Sequence, residues 1–404
     1  MEAEEHFLTI LPGPGTPVQK AMGILEETLA AGPERPEARH PGGASSSSAH
    51  GATESPEIED HSGEGGQPSR ISPVPETDDP GTGKRSLEVL ELRTFASRGS
   101  FPALLAGLDK IPGSEAWPVS LLDGAPLEGK GIAGFHLHLV EGARVETLFL
   151  RDRPVGRAFS RGGTRHCVLG GLAPVHLDEP PKAQTREMLL EMEGLLRTQG
   201  MTLKDLVRTW FFLDGILSWY DDFNEARTQV FRDRGVFQSY VPASTGIGGR
   251  NHLGAALMAS ALAVGQGSGK ASVRSLPSPL QCPAGDYGSN FSRAAEFRQE
   301  GLRRVLVSGT ASIDPEGATA HEGDLEAQME LTFRVVEAIL QEQDLGFGDV
   351  FRGNAYFRDE APAQALAPVL EGYGLSPELL IPSRNTVCRE DLLFEVEVEA
   401  VASG

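Results

Sequence analysis

AQTREMLLEMEGLLRTQGMTLKDLVR, residues 183–208, returns without a gap as AQMELTFRVVEAILQEQDLGFGDVFR, residues 327–352. Gln184/Gln328, Glu193/Glu337, Leu196/Leu340, Gln199/Gln343 and Asp205/Asp349 coincide at one offset. Each stretch has a helical pattern and then a strand-like run, TWFFLD in the first copy and GNAYFRD in the second. A repeat this long implies two copies of one fold.

Working outward, the order of elements repeats as well. In the first half come the strand HCVLGGLAPV, a helix over 181–199, the strand VRTWFFLD, a helix over 218–234 and the strand LMASALAVG. In the second half come RRVLVSGTASID, a helix over 324–343, VFRGNAYFRD, a helix over 360–373 and DLLFEVEVEAVA. Leu325, Met329, Val336 and Leu340 form a helical-period stripe that reads as core. Interleaved strands and helices, two helices per half, predict an α+β layer with the helices on one sheet face. Upstream, GIAGFHLHLVEG and RVETLFLRD read as a hairpin turning at Glu141-Gly142.

Residues 1–86 differ in composition. Residues 17–30 have the pattern of a short amphipathic helix, but the following Pro/Gly/Ser/acidic run offers few large apolar side chains to offset ordering entropy. The expected organisation is a mostly disordered acidic tail (1–86), a domain with added N-terminal strands (87–266), a flexible linker (267–275) and a second domain (276–404).

A net charge of −21 makes the chain a poor generic nucleic-acid binder, because such affinity is built on neutralising phosphates. No apolar run is long enough to predict a membrane-spanning helix, and the N-terminal stretch lacks the basic and apolar regions of a secretory signal. Cys167, Cys282 and Cys388 are widely spaced and odd in number, which suits a reducing cytoplasm. His136 and His138 share a strand face, but no third ligand with helpful spacing accompanies them, so no metal is expected. TGIGGRN matches no phosphate-binding fingerprint and reads as a loop; Arg250 within it reads as a surface residue.

The copies part company near their ends. Matching Pro242 with Pro382 sets Ser244 opposite Arg384, and matching the strand ends sets Leu257, Ala259 and Ala261 opposite Glu395, Glu397 and Glu399. The three glutamates alternate and so share one strand face. Arg384, Cys388, Arg389 and Asp391 lie close by in sequence. An arginine can grip a carboxylate bidentately, and a glutamate raised in pKa by an apolar wall can move a proton.

These segments resemble the RidA/YjgF family, also described as endoribonuclease L-PSP. The carrying pieces are VSGTASIDP, the helix opening in AQ, the strand R-x-x-x-(Y/F)-F-x-D, the P-x-R turn and the E-V-E-A-V-A end; the first half shows VLGGLAP, DLVRTWFFLD, DDFNEARTQVF and PASTGIG. The resemblance implies two tandem chorismate-mutase-like domains, each a mixed sheet backed by two helices, with trimer-like packing or homo-oligomers and clefts between units. For family members that deaminate imines it implies that Arg384 holds a substrate carboxylate and that a last-strand glutamate positions water. Alignment from LLF selects Glu395, alignment from the strand end selects Glu397, and the first is preferred. Ser308 matches the serine of the family's S-G strand.

The second half also resembles the chorismatase branch, in YGSNFSR, SGTASI and CREDLLFE. That resemblance implies that Tyr287 and Arg293 line the site, that Cys388 tunes the product and that Glu395 is the acid. Phe291 stands where ordinary members have tyrosine. The expected activity is therefore cofactor-free hydrolysis of an anionic enolpyruvyl ether with pyruvate release. The alternatives are 2-imino acid deamination and ligand binding without turnover; RNA cleavage fits the charge least.

Overall fold

The computed structural model describes residues 3–13, 15–32, 86–265, 271–287, 290–359 and 363–403. Among these residues are six α-helices and three mixed sheets, one sheet more than the repeat implies. The first unit holds β1 (Glu4–Ile10), α1 (Val18–Ala31), β2 (Leu87–Ala96), α2 (Phe101–Leu108), β3 (Val119–Asp123) and β4 (Ile132–Glu141), with strand order β1-β4-β2-β3. The second holds β5 (Glu146–Leu150), β6 (Arg153–Arg161), β7 (Thr164–Leu172), α3 (Pro181–Arg197), β8 (Leu206–Leu213), α4 (Tyr220–Asp233), β9 (Ala243–Gly248) and β10 (Leu257–Val264). The third holds β11 (Ala271–Leu276), β12 (Ala294–Gln299), β13 (Leu302–Val307), β14 (Thr310–Ala311), α5 (Leu325–Gln341), β15 (Val350–Phe357), α6 (Leu366–Tyr373), β16 (Leu380–Arg384) and β17 (Phe394–Ser403).

The motif β-α-β-α-β-β occurs three times in these units. In each sheet the last strand lies between the first and second, and the second pairs in parallel with the third: β2/β3, β8/β9 and β15/β16. Two expectations are corrected. Residues 4–31 are not a tail, because β1 pairs with β4 and α1 packs on α2. The strands upstream of residue 142 do not extend the second sheet. The supposed hairpin at Glu141-Gly142 instead crosses between sheets, β4 pairing with β1 and β2 and β5 with β6. The tail reading of 33–85 and residues 267–270 of the linker reading fall outside the described residues; the rest of the expected linker, 271–275, is not flexible connection but part of the strand Ala271–Leu276.

Apolar spacing explains the helices. In α5, Met329, Phe333, Val336 and Leu340 recur at intervals of three and four residues and are buried under the third sheet. Asp324 caps the helix by accepting from the Ala327 N–H at 3.0 Å. Met188, Leu189, Met192, Leu195 and Leu196 do the same for α3 under the second sheet, and Leu104 and Leu108 of α2 join Leu25 of α1 under the first.

The outer sheet faces pack against one another, and two apolar clusters draw on all three units. Phe95, Phe212 and Tyr356 take matching places on β2, β8 and β15, and meet with ring centroids 5.8 and 5.9 Å apart. Next to them the Arg93 guanidinium lies 4.2 Å over the Trp210 ring.

Strand register corrects the comparison of the copies. Phe212 pairs with Met258 where Tyr356 pairs with Glu395, so Met258, Ser260 and Leu262 are the counterparts of the three glutamates. Leu213 pairs with Gly248 where Phe357 pairs with Arg384, so Gly248 rather than Ser244 matches Arg384. Pro242 precedes its strand, whereas Pro382 lies inside the edge strand β16, where a missing N–H is tolerated.

Candidate active site

The face of β17 that carries the glutamates points across the boundary with the second unit. Glu395 pairs with Tyr356 of β15 and Ala311 of β14 and is only 4% exposed. Its carboxyl opens on a cavity of about 630 Å³ walled by β14, β17 and the Cys388–Leu392 turn on one side and by α4 and β9 on the other. Gly309 makes room for it, since a Cβ there would collide with the Glu395 carboxylate. No hydrogen-bond donor reaches Glu395 from the described residues. Burial, and then the charge of Glu397, push its pKa up to about 8, with Arg208 acting the other way. The acid is therefore held protonated at neutral pH.

Two buried arginines share this cavity. Arg293, just before β12, donates from Nε and Nη2 to the Cys282 carbonyl at 3.0 and 2.7 Å. Arg227 comes from α4 of the second unit. It is 2% exposed, lies 4.9 Å over the Phe223 ring, and donates to Asn224 Oδ1 (2.8 Å) and Ser244 Oγ (3.4 Å). Asn224, Arg227 and Thr228 line the cavity because three- and four-residue spacings fall on one helix face. Comparing the copies for missing glutamates does not find Arg227, because its copy contributes no acid. The available signal was the polar stripe Asp221, Asn224, Arg227 and Thr228 on an otherwise apolar-periodic helix.

The other expected residues divide. Cys388 lines the cavity, and burial followed by the charge of Glu395 pushes its thiol up to about 12, so it is a neutral wall group. Phe291 also lines it. The Tyr287 side chain lies outside the described residues. Ser308 is a brace behind the wall: its Oγ accepts from the Ser244 N–H at 2.9 Å and donates to the Ser292 carbonyl at 2.5 Å. Glu397 does not open on the cavity; it is closed in by Arg208, Thr245, Asn354 and Tyr356. Arg384 does not join Glu395 either. It lines a separate cleft with Asp123, Gly248 and Arg358, where it donates to the Gly129 carbonyl at 2.9 Å and its backbone N–H donates to Ala125. Its distance from the acid follows from position: Arg384 ends an edge strand facing the first unit, whereas Glu395 faces the second. His136 and His138 spend their rings on structure. His136 Nε2 lies 3.1 Å from the Gly353 carbonyl and His138 Nε2 2.8 Å from Glu5.

Residues 289–403, which include Arg293, Cys388 and Glu395, match the family model described as endoribonuclease L-PSP. The third unit is an endoribonuclease L-PSP (RidA/YjgF) domain. A 3-hydroxybenzoate synthase of Streptomyces hygroscopicus is 28% identical over 241 residues, 53% of this chain and 68% of that protein. A chorismatase of the same organism is 25% identical over 306 residues, 69% of this chain and 84% of that protein. The crystal structure of a chorismatase superposes with a TM-score of 0.56 at 19% identity, covering 82% of this chain and 97% of that one. That superposition is a likeness of fold, and it extends beyond the L-PSP domain to the other two units.

Proposed function

We propose that this protein hydrolyses the enolpyruvyl ether of chorismate or a close analogue, releasing pyruvate. The observation that carries the reading is Glu395, a buried carboxylic acid pushed up to about 8 in a cavity that also presents Arg227 and Arg293. The two arginines supply fixed positive charge for a substrate with carboxylates. Glu395 gives its proton to the terminal methylene of the enol ether, turning it into a methyl group. The ether carbon becomes oxocarbenium-like and water adds to it. Water gives one proton to the Glu395 carboxylate as it adds, and the resulting hemiketal passes its hydroxyl proton to the ring oxygen as that C–O bond breaks, leaving pyruvate and the ring alcohol. One proton enters and one leaves, so the Glu395 acid is restored. The distant similarity to a chorismatase and a 3-hydroxybenzoate synthase supports the substrate class. Imine deamination asks for Arg384 and the glutamate on one substrate, but these residues line different cavities.

Turnover of chorismate in D2O tests the proton transfer. Pyruvate sampled early should carry one deuteron in its methyl group and be absent with Glu395→Gln. A folded, chorismate-binding protein that yields no pyruvate would overturn the reading.

A further inference from the structure

Glu397 lies two residues beyond Glu395 on the same strand face, and its surroundings are the opposite of its neighbour's. Arg208 Nη2 donates to it at 2.6 Å, Asn354 Nδ2 at 2.6 Å, the Tyr356 hydroxyl at 2.9 Å, and the Thr245 hydroxyl completes the set. A carboxyl receiving four donors is held as an anion, while one receiving none in a low-dielectric wall keeps its proton. Thr245 joins the two environments. Its Oγ accepts from Arg208 at 2.5 Å and from the Gly309 N–H at 2.9 Å, and Gly309 is the residue against which the Glu395 carboxyl rests.

We propose that Glu397 is a positioning residue for the reaction: a fixed anion, locked by Arg208 and Thr245 of the second unit, whose charge keeps the proton on Glu395. The role rests on Glu395 being the acid of the proposed reaction. It also gives the second unit, whose own last strand has Met258, Ser260 and Leu262 in place of glutamates, a part in that acid's chemistry.

The other charged or titratable groups around Glu395 come from each packed element. They are Arg208 on β8, Tyr356 on β15, Arg227 on α4, Arg293 ahead of β12, and Cys388 and Arg389 in the turn ahead of β17, with Asp221, Glu225 and Arg232 toward the α4 side of the mouth. Arg208 favours loss of the Glu395 proton, and Glu397 opposes it from the same strand face as Glu395. Burial pushes the same way as Glu397.

The test is an isotope-edited infrared titration of substrate-free protein, following the protonated carbonyl band of Glu395, which is assigned by its loss in Glu395→Gln. In Glu397→Gln the midpoint should fall by about one unit. In Glu397→Asp, which keeps the charge, the fall should be smaller. A midpoint that does not move in a folded Glu397→Gln protein overturns the proposal. If that variant fails to fold, Glu397→Asn takes its place, and a Glu395 midpoint that does not move in the folded Glu397→Asn protein overturns the proposal. Because no substrate is present, these outcomes stand apart from whether chorismate is turned over.

Discussion

Glu395 and Glu397 point the same way from one strand, yet the first opens on a cavity and receives no hydrogen bond from the described residues, while the second is enclosed by four donors. The boundary between the second and third units creates this difference. Thr245 and Arg208 of the second unit reach Glu397, while Gly246 and the α4 face stand back from Glu395. An acid and a structural ion pair thus come from the same run of alternating residues.

Glu395→Gln should cost activity without costing stability. Loss of a general acid lowers kcat by roughly 10²- to 10⁴-fold. The thermal midpoint should hold or rise, since the substitution removes a buried ionisable group that has no donor among the described residues. A thermal melt beside the kinetic assay checks both halves.

The pH profile has a defined sign. The group is a carboxyl whose folded pKa is raised to about 8, and its protonated form is the active one. kcat/KM should be level on the acid side of 8 and then fall about tenfold per unit as pH rises beyond it. Stability follows the same group: the folded state holds a proton that the unfolded chain gives up at ordinary carboxylate pH, so stability declines as pH rises from about 4.5 toward 8.

Arginine substitutions separate the two clefts. Arg293→Lys and Arg227→Lys keep a charge but lose the planar fork, and should weaken kcat/KM for an anionic substrate by about tenfold or more. Arg384→Ala should leave it within a few-fold, because Arg384 lines a different cleft. Steady-state kinetics of the three variants would reveal an imine-deaminase arrangement if Arg384→Ala proved the most damaging.

Glu399 belongs to the fold. It is 5% exposed and accepts from Arg304 Nη2 at 2.9 Å and Arg352 Nε at 2.8 Å. Glu399→Gln leaves two buried guanidiniums undercompensated and should cost about 3–5 kcal/mol. Burial alone would raise its pKa, but Arg352 and Arg304 hold it at about 2. Its contribution is therefore present above about 4.5 and fades as pH falls toward 2, so the deficit measured by urea unfolding should be smaller at pH 3 than at pH 7.

Much of this was legible in the residues. The 183–208/327–352 repeat announced the second and third units because α3 and α5 bury the same periodic positions. The first unit escaped because residues 33–85 separate α1 from β2, and because its elements share the topology rather than the residues of the others. Matching strand ends slipped the glutamate comparison by one residue, since β17 has ten residues and β10 eight, and a slip of one turns every side chain to the other face. Glu395, Arg293 and Cys388, which line one cavity, were named through the family resemblance. Arg227 was not, since only the packing of α4 against the third unit brings it to the acid.

The most direct measurement is pyruvate release from chorismate by purified protein beside Glu395→Gln, with both shown to be folded. Stoichiometric pyruvate is expected from the wild type and essentially none from the variant. No pyruvate from folded wild type, or equal release from both proteins, would contradict the proposed reaction.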